Sequence, residues 1–491
     1  MQFRVLNRAL VGGLLLLLFR PDAVLMAQAK QTPASKEKHE LPIPDAPWTG
    51  DFDGMKQRRL IRVLVVYNKT NYFIDKGTPR GITTEAFKMF EDHINQKYKT
   101  KNLRIHVVLV PVRRDALADL LLGGKGDIIA ATVTMTPERA AKADFSAPVL
   151  KNVSEIVVSG PASQPIASAD ELSGREVFVR KGSIFNESLD KLNADLKKQG
   201  KPEVKLRWAP DTLEDEDLLE MLNAGLVQYV VVDDFLAKFW ASVLPKIKLN
   251  PGAVLRKDAD IAWAMRKGSP LLKAELDEFI AKNPEGSATR NVLFAKYLKN
   301  TKFVKNAASK EEMAKFQQTV QFFRSYSDKY DVDYLLMAAQ GYQESRLDQN
   351  AKSSVGAVGV MQVMPTTAQD LKVGDISQLE PNIHAGVKYI RFMIDQYFGN
   401  EPMDKLNKGL FAFAAYNCGP GRVQSLRKEA EKKGLDPNKW FNNVEVIASQ
   451  RIGRETVTYV SNIYKYYIAY KLATEDMAER QKAREEVKNS K

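Results

Sequence analysis

The stretch that decides the fold of the carboxy-terminal half is residues 331–345, which read DVDYLLMAAQGYQES. Its apolar residues recur every three or four positions, which predicts a helix with one apolar face. Asp331 or Asp333 is the expected N-cap, because an aspartate side chain accepts hydrogen bonds from the free N–H groups of a first helical turn. This helix would carry Glu344 near its far end, beside the apolar face.

Glu344 has two readings when this helix is taken alone. A carboxyl group beside apolar surface has a raised pKa, and a carboxyl that stays protonated near neutral pH is suited to general acid catalysis. The alternative is a solvated glutamate at the end of a surface helix. The motifs that follow in the chain favour the catalytic reading.

Four further motifs come in order after Glu344. They are residues 353–365 (SSVGAVGVMQVMP), 382–386 (NIHAG), 415–421 (AYNCGPG) and 455–460 (ETVTYV). Together they resemble the soluble lytic transglycosylase family over about residues 320–470. The resemblance implies a mainly α domain with the goose-type lysozyme fold and an activity that cleaves the glycan strands of peptidoglycan.

The resemblance also implies roles for individual residues. It makes Glu344 the single catalytic acid and base, and Tyr459 the tyrosine whose hydroxyl approaches it. Substrate-binding roles follow for a set of residues in the same motifs: Ser353, Met361, Gln362, Tyr416, Asn417 and Tyr459. Cys418 departs from the family pattern, which has a small residue there. We interpret it as an apolar filler, because no His–Asn pair is placed to activate its thiol.

A single carboxylate limits the chemistry. Most glycosidases use two carboxyl groups, one as acid and one as base or nucleophile, and no second acid occupies an obvious motif position here. The resemblance implies substrate assistance, in which Glu344 protonates the glycosidic oxygen and then deprotonates the 6-hydroxyl of the same muramic sugar. Attack of that hydroxyl on C1 leaves a 1,6-anhydro end. A hydrolysing muramidase would differ only in its product.

The amino-terminal half alternates strand-like and helix-like segments. Apolar runs at residues 60–66, 105–110, 127–131, 176–179 and 229–232 predict strands, and helical periodicity follows several of them. This alternation predicts parallel sheets with helices on both faces. Strand-like segments stop after about residue 270, beyond which the chain has the pattern of helices separated by loops.

Residues 127–148, DIIAATVTMTPERAAKADFSAP, place hydroxyl groups and an arginine just after a strand, which is where open sheets bind ligands. Thr132 and Thr134 alternate on one side of an extended segment. The planar guanidinium of Arg139 is suited to a two-pronged grip on a carboxylate. A surface arginine near a turn is the alternative reading of Arg139.

This stretch, with residues 169–183 (ADELSGREVFVRKGS) and 261–270 (IAWAMRKGSP), resembles the extracytoplasmic solute-binding proteins of the amino-acid type. The resemblance covers about residues 58–285 and implies two α/β lobes that close on a ligand. The fold class expected for the chain is therefore a two-lobed α/β periplasmic-binding-protein fold followed by a mainly α, lysozyme-like domain.

The same resemblance assigns a regulatory ligand site. It implies that Arg139 holds the α-carboxylate of the ligand, that Thr132 and Thr134 line the cleft, and that an acidic residue takes the amino group. Asp233 and Asp234 both qualify for the last role, and the spacing favours Asp234. Ser183, at an expected helix start, would add backbone N–H groups for an anion.

The first residues predict export. Arg4 and Arg8 precede an apolar run at residues 9–19 and then the small-residue site at 27–29, which is the pattern of a cleaved secretory signal. A membrane anchor is the alternative, but this run is well short of the ~20 residues that span a bilayer. We expect a signal peptide at residues 1–29, a linker at 30–57, a solute-binding-protein-like regulatory domain at 58–300 and a catalytic domain at 301–491.

The charge indicates an anionic partner. The 491 residues include 73 Lys and Arg against 60 Asp and Glu, a formal net charge of +13, and loss of residues 1–29 would leave +11. For an exported protein we expect peptidoglycan or a membrane surface as the partner and not nucleic acid. One cysteine and four scattered histidines argue against a disulfide, a metal site or a cofactor.

A solute-binding module ahead of a lytic transglycosylase domain is similar to the F group of membrane-bound lytic murein transglycosylases. We therefore expect a periplasmic enzyme acting on peptidoglycan glycan strands, with peripheral association with the outer membrane as an option. Its amino-terminal domain would take a muropeptide or an amino acid and change access to Glu344. The competing hypothesis is a solute-binding receptor whose lysozyme-like domain only docks on the cell wall.

Two features near the carboxyl terminus have blander interpretations. Tyr459, Ile463, Tyr466 and Tyr470 form an apolar stripe at helical spacing, which we assign to the core and not to a membrane contact. The charged segment from Glu475 to Lys491 is expected to be a solvated helix or disordered.

Overall fold

The computed structural model describes residues 47–75, 77–299 and 310–489. The expected signal peptide and most of the expected linker lie outside the described residues. The strands are β1 Leu60–Val65, β2 Phe73–Asp75, β3 Thr78–Arg80, β4 His106–Pro111, β5 Ile128–Thr134, β6 Ala143–Phe145, β7 Leu150–Ser159, β8 Glu176–Arg180, β9 Lys205–Ala209, β10 Tyr229–Asp233 and β11 Lys248–Arg266.

Helices alternate with these strands and then replace them. The helices before residue 300 are α1 Phe52–Arg58, α2 Ile82–Lys97, α3 Leu117–Leu122, α4 Pro137–Lys142, α5 Ile184–Lys198, α6 Asp215–Asn223, α7 Asp234–Ala241, α8 Pro270–Lys282 and α9 Ala288–Phe294. Those after residue 309 are α10 Lys310–Tyr330, α11 Tyr334–Ser345, α12 Pro365–Leu371, α13 Leu379–Met393, α14 Lys405–Cys418, α15 Pro420–Lys432, α16 Glu445–Arg451 and α17 Arg454–Asn489.

The amino-terminal half is built on a seven-stranded sheet in the order β10-β7-β11-β5-β1-β4, with β6 paired to β11. Strand β1 runs parallel to β4 and to β5, as predicted. The pairs of β7 with β10 and of β11 with β5 and β7 are antiparallel, so the prediction of purely parallel sheets is wrong here. Strands β7 and β11 were missed because exposed polar residues interrupt their apolar runs.

Two lobes form around this sheet. The core of the first lobe contains Phe87, Phe90 and Trp263 from α2 and β11. The second lobe has a core on each side of β10: Val230 and Val232 pack into one, and Tyr229 and Val231 into the other. All five residues of β10 are buried, because alternate side chains of a strand point to opposite faces and both faces are covered.

The carboxy-terminal half is helical in its described residues apart from isolated bridges. Helix α11 begins at the N-cap Asp333, whose carboxylate accepts from Leu335 N at 2.8 Å and Leu336 N at 3.3 Å. Asp333 is thus the cap of the two candidates, and such a cap stabilises a helix by about 1 kcal/mol. Helix α11 packs against α10 and α17, and Glu344 lies near its carboxyl end.

Helix α17 is 36 residues long and reaches both lobes. Its Ala469 belongs to the core of the first lobe, whereas Ala483 and Val487 belong to a core of the second. The expected helix is therefore present as far as Asn489, but it is not solvated on all sides, because Ala483 and Val487, at i,i+4 spacing, are buried. In the tyrosine stripe, Ile463 is fully buried and Tyr470 nearly so, as expected for core.

The end of the expected linker is also structured. Helix α1 begins at the N-cap Asp51, and its Phe52 and Met55 are buried in the core of the first lobe. The domain limits given above stay predictions. Over the residues that the structure describes, no helix combines the length and the hydropathy needed to cross a membrane.

Candidate active site

Glu344 is half-buried near the carboxyl end of α11. Burial disfavours the charged form of the carboxyl and raises its pKa to about 7, against a hydrogen bond from Tyr459 that lowers it. No lysine, arginine or second carboxyl among the described residues contributes to this shift. The group is therefore poised to hold a proton near neutral pH and to release it.

Tyr459, on α17, is the hydrogen-bond donor to Glu344. Its buried hydroxyl donates to Glu344 Oε1 and accepts from Gln340 Nε2 at 3.2 Å. Burial, followed by the charge of Glu344, raises the pKa of Tyr459 well above its ordinary value. The tyrosine thus stays a neutral donor over the whole working range of pH. The sequence reasoning missed Gln340, although its i,i+4 spacing from Glu344 puts both on one helix face.

Tyr416, at the end of α14, forms a second wall of the site. Its hydroxyl donates to the carbonyl oxygen of Met361 at 2.7 Å, and its ring meets Tyr389 edge-on with centroids 5.4 Å apart. Burial, followed by the charge of Glu344, raises the pKa of Tyr416 well above its usual value. The coupling indicates that Tyr416 and Glu344 lie close together.

Met361 lies on the loop before α12, and its side chain points into the domain. Its side chain is fully buried, and a Cβ added at Gly386 would lie only 2.5 Å from Met361 Cγ. The methionine side chain therefore packs against α13 beneath the loop, and its contact with saccharide stays a prediction. Its contribution to the site is its backbone carbonyl, which fixes Tyr416.

Asn382 anchors the loop that carries Met361, and sequence reasoning gave it no role. This amide, fully buried at the start of α13, accepts from Met361 N at 2.8 Å and donates to Val358 O and Ile376 O at 2.8 and 3.0 Å. Its place in the motif at residues 382–386 was the available signal, because a buried asparagine must satisfy several hydrogen bonds at once.

Ser353 and Gln362 also serve the loop in this structure. The hydroxyl of Ser353 accepts from Ala357 N at 2.9 Å, and the amide of Gln362 donates to the carbonyl oxygens of Ala351 and Gly359. Both side chains are partly exposed, so the Ser353 proton and the Gln362 carbonyl remain available to a substrate. Their contact with saccharide stays a prediction.

Asn417 joins α14 to α17. Its Oδ1 accepts from the hydroxyl of the buried Thr456 at 2.6 Å, one helical turn before Tyr459. Thr456 is thus a further residue that the sequence reasoning did not single out.

Burial raises the pKa of Cys418, the residue after Asn417, which is the opposite of what a thiolate nucleophile needs.

In the amino-terminal half, Arg139 is already paired with a carboxylate. Its Nη2 lies 3.1 Å from Glu187 Oε1 on α5 of the second lobe, and its Nη1 donates to Thr134 O at 3.4 Å. Thr134 is buried, while Thr132 adopts a left-handed φ of 54° and accepts from Asn71 Nδ2 at 3.1 Å. Glu187 thus occupies the guanidinium that the resemblance assigns to a ligand.

Ser183 is the N-cap of α5, as expected, with its hydroxyl accepting from Asn186 N at 3.1 Å.

The two aspartates at the end of β10 differ sharply. Asp234 is half-buried and pairs with Lys238 at 2.5 Å on its own helix. Asp233 is buried, and burial together with the nearby Asp215 and Glu155 raises its pKa well above the ordinary value. The preference for Asp234 gains no support from these contacts.

Ion pairs connect the two lobes elsewhere in the cleft. Arg114 of the first lobe grips Glu214 of the second with Nε and Nη2 at 2.9 and 2.6 Å and also donates to Ala131 O. Lys69 N donates to Glu216 at 2.9 Å, and its ammonium contacts Glu220. The two lobes are therefore held closed by contacts between their own residues.

The first lobe borders two cavities. One, of about 100 Å³, is mainly apolar and is lined by Thr132, Phe235 and Trp263 among others. The other, of about 580 Å³, lies between the first lobe and helices α11 and α17, where Lys88, Arg346 and Lys465 reach it. The second cavity shares α11 with Glu344.

One group of three potential metal ligands occurs within the described residues: His93, Glu275 and Glu278, with ligand atoms within 4.8 Å of one another. The ammonium of Lys97 contacts both carboxylates, at 2.8 and 2.6 Å. Lys282 also pairs with Glu278, at 2.6 Å, so two lysines balance the two carboxylates and we interpret the cluster as an ion-pair network.

Comparison with known proteins gives two family matches in chain order. The profile of bacterial extracellular solute-binding proteins, family 3, matches residues 61–300, and that of the Transglycosylase SLT domain matches residues 321–439. Among solved structures, truncated arginine-bound ArgBP from T. maritima is 20% identical with a TM-score of 0.39, covering 47% of this chain and 100% of that one. The arginine-bound AbpA of Streptococcus pneumoniae is 20% identical with a TM-score of 0.41, covering 52% and 100%.

Relatives of known description match over most of the chain. The membrane-bound lytic murein transglycosylase F of Desulfosudis oleivorans is 29% identical over 84% of this chain and 90% of its own length. The protein of the same description from Aeromonas salmonicida is 28% identical over 85% of this chain and 84% of its own. The chain therefore belongs among the peptidoglycan lytic transglycosylases, with a family 3 solute-binding domain ahead of an SLT domain, and its resemblance to the F group extends across most of its length.

Proposed function

We propose that this enzyme cleaves the β-1,4 bond between N-acetylmuramic acid and N-acetylglucosamine without water and leaves 1,6-anhydromuramic ends. The observation that carries the proposal is the state of Glu344. It is a half-buried carboxyl with a pKa of about 7, served by a tyrosine hydroxyl and coupled to no second carboxyl among the described residues. Such a group is suited to give a proton and then to take one back.

The reaction balances on this one residue. Protonated Glu344 gives its proton to the glycosidic oxygen as the bond from that oxygen to C1 breaks. The resulting carboxylate then accepts the proton of the 6-hydroxyl of the same muramic sugar, and O6 forms the new bond to C1. Glu344 ends protonated, so no water and no second acid are consumed.

Tyr459 supports both halves of this cycle. As a donor to Glu344 it stabilises the carboxylate that exists between the two proton transfers. Because its own pKa lies far above neutral, it donates a hydrogen bond without losing its proton. Tyr416, neutral for the same reason, completes a wall that carries no charge.

The products of digestion test the proposal. Purified wall sacculi are digested, the products are treated with borohydride, and the muramic ends are identified by mass spectrometry. Non-hydrolytic cleavage gives anhydro ends that resist reduction, whereas a muramidase gives ends that are reduced. Glu344→Gln should release no fragments, and Glu431→Gln, which changes an exposed glutamate on α15, should match wild type. A docking receptor would release no fragments in any variant.

We further propose that the amino-terminal domain binds an amino acid or a muropeptide and so regulates the enzyme. Support comes from the family 3 match and from Arg139, which already holds a carboxylate that reaches it from the other lobe. A ligand shifts such a closed state only through different affinities for the two states. Turnover on sacculi should change on addition of muropeptides in wild type but not in Arg139→Ala. Identical turnover in all four conditions would reject the regulatory role.

For location we propose the periplasm, with peripheral attachment to the outer membrane. The motifs require access to peptidoglycan, and the relatives are described as membrane-bound. Fractionation of cells followed by a high-salt wash tests this assignment. A peripheral protein leaves the membrane fraction in salt, and an integral one stays.

A further inference from the structure

Gln340 is a buried amide next to the reacting carboxyl. It lies one helical turn before Glu344 on α11 and has no exposed surface. Its Nε2 donates to the Tyr459 hydroxyl at 3.2 Å, and its Oε1 is buried without a hydrogen-bond partner among the described residues. A buried polar atom left unpaired costs stability, so the amide would be expected here only if its other end has a use.

The use follows from counting hydrogens. A tyrosine hydroxyl has one proton to donate and can accept at its oxygen. Because Gln340 Nε2 donates to that oxygen, the Tyr459 proton points to Glu344. An amide turned the other way would present Oε1 to Tyr459, accept the tyrosine proton and leave Glu344 without its donor.

We propose that Gln340 is a positioning residue that commits the Tyr459 hydroxyl to Glu344. The proposal rests on the proposed function, in which Glu344 is the general acid. The proposal also explains why Gln340 Oε1 has no hydrogen-bond partner among the described residues: the amide is oriented so that its Nε2 donates to Tyr459. Gln340 touches no reacting atom itself and acts only through Tyr459.

The groups facing Glu344 make the effect visible in a pH profile. The titratable side chains coupled to Glu344 among the described residues are Tyr459 on α17 and Tyr416 on α14, and neither ionises near neutral pH. The alkaline limb of the profile should therefore report Glu344 alone. A hydrogen bond donated to its carboxylate lowers the pKa, so loss of the commitment raises that pKa and moves the limb to higher pH.

The experiment compares kcat/KM against pH on solubilised glycan strands for wild type and Gln340→Met, which keeps the length of the side chain and removes the donor. We expect a fall of about tenfold at neutral pH, the size of one lost charged hydrogen bond, and an alkaline limb shifted upward by about half to one pH unit. Gln321→Met, which changes an exposed glutamine on α10, is the matched control and should superimpose on wild type.

A double-mutant cycle separates positioning from packing. In Tyr459→Phe the proton to be directed is gone, so adding Gln340→Met should change neither the rate nor the limb. Equal effects of Gln340→Met with and without the tyrosine hydroxyl would overturn the proposal, as would an unshifted limb in the single variant. Gln340→Leu, which also removes the donor and adds no titratable group, provides a second variant if Gln340→Met does not fold, and it should shift the limb in the same direction.

Failure of this inference is distinguishable from failure of the proposed function. If Glu344→Gln keeps wild-type activity, the function assigned to Glu344 is wrong. If Glu344→Gln is inactive while the Gln340→Met profile superimposes on wild type, only the positioning role is wrong.

Discussion

The catalytic site and the cleft between the lobes treat buried carboxyl groups in opposite ways. Among the described residues, Glu344 accepts a hydrogen bond from a tyrosine hydroxyl and has no cationic partner, and its pKa is raised to about 7. Glu214, almost fully buried, is gripped by both prongs of Arg114 across the lobes. A buried carboxyl without a cationic partner can exchange a proton near neutral pH. A buried carboxyl paired with an arginine stays charged, and here that ion pair joins the two lobes.

Asp233 shows that the difference is one of pairing and not of domain. It lies in the same cleft as Glu214 but is surrounded mainly by other carboxyls, and burial followed by Asp215 raises its pKa well above the ordinary value. The interlobe cleft thus contains a proton-holding group of its own. Unlike that of Glu344, its pKa is raised partly by neighbouring carboxyls, and Arg114 opposes that shift.

The largest expected effect is on activity. Glu344→Gln keeps the size of the side chain but removes the proton that the leaving oxygen needs, so we expect release of anhydro fragments to fall by about a thousandfold or more. The measurement is the initial rate of fragment release from sacculi, with Glu431→Gln as the exposed control. A loss of less than tenfold would mean that another group supplies the proton.

The paired carboxyl should respond in stability. Arg114→Met leaves Glu214 buried without its cation, and breaking such a pair costs about 3 to 5 kcal/mol. The measurement is the thermal unfolding of the amino-terminal domain within the full chain. The double variant Arg114→Met with Glu214→Gln should recover most of the loss, because it leaves no unpaired charge. A double variant as unstable as the single one would assign the cost to lost packing of the arginine.

Replacing Glu344, which has no cationic partner among the described residues, should instead raise the stability of the folded protein. The pKa of Glu344 is raised in the folded state, so the folded protein loses stability as pH rises from about 4.5 to about 7. Glu344→Gln removes this penalty, and we expect the variant to be more stable by about 2 to 3 kcal/mol above pH 7 and unchanged below pH 4. Denaturant unfolding at pH 4 and pH 8 checks this, and an equal gain at both values would contradict the titration of Glu344.

The features that the sequence predicted are mostly those that depend on residues close together in the chain. The cap at Asp333 and the start of α5 at Ser183 each depend on residues within one helical turn, so short patterns predict them. The raised pKa of Glu344 also depends on burial in the folded domain, and the apolar face of α11 signalled only part of that burial. The buried strand β10 was visible because both its faces are covered. Strand β11 was not, since its exposed polar residues break the apolar run.

The site contacts that the sequence did not predict join segments that are separated along the chain. A motif match names Met361 but does not say that Gly386, far along the chain, leaves room for its side chain beneath the loop. Gln340 and Thr456 gain their roles only because α17 returns to α11 and α14. The pairing of Arg139 with Glu187 likewise requires the two lobes to be closed.

The smallest expected effect concerns that last pair. Arg139 and Glu187 are both partly exposed, and such pairs contribute about 0 to 1 kcal/mol. If Glu187 competes with the carboxylate of a ligand, Glu187→Gln should tighten binding of an L-amino acid or a muropeptide by up to about fivefold, while Arg139→Ala should abolish it. Titration calorimetry on the full chain measures both, with Glu176→Gln as the control, since Glu176 pairs with Arg207 outside the cleft at 3.6 Å. Weaker binding in Glu187→Gln would instead make Glu187 part of the ligand site. The interlobe cleft would then resemble the catalytic site more closely, because each would act through a partly exposed glutamate.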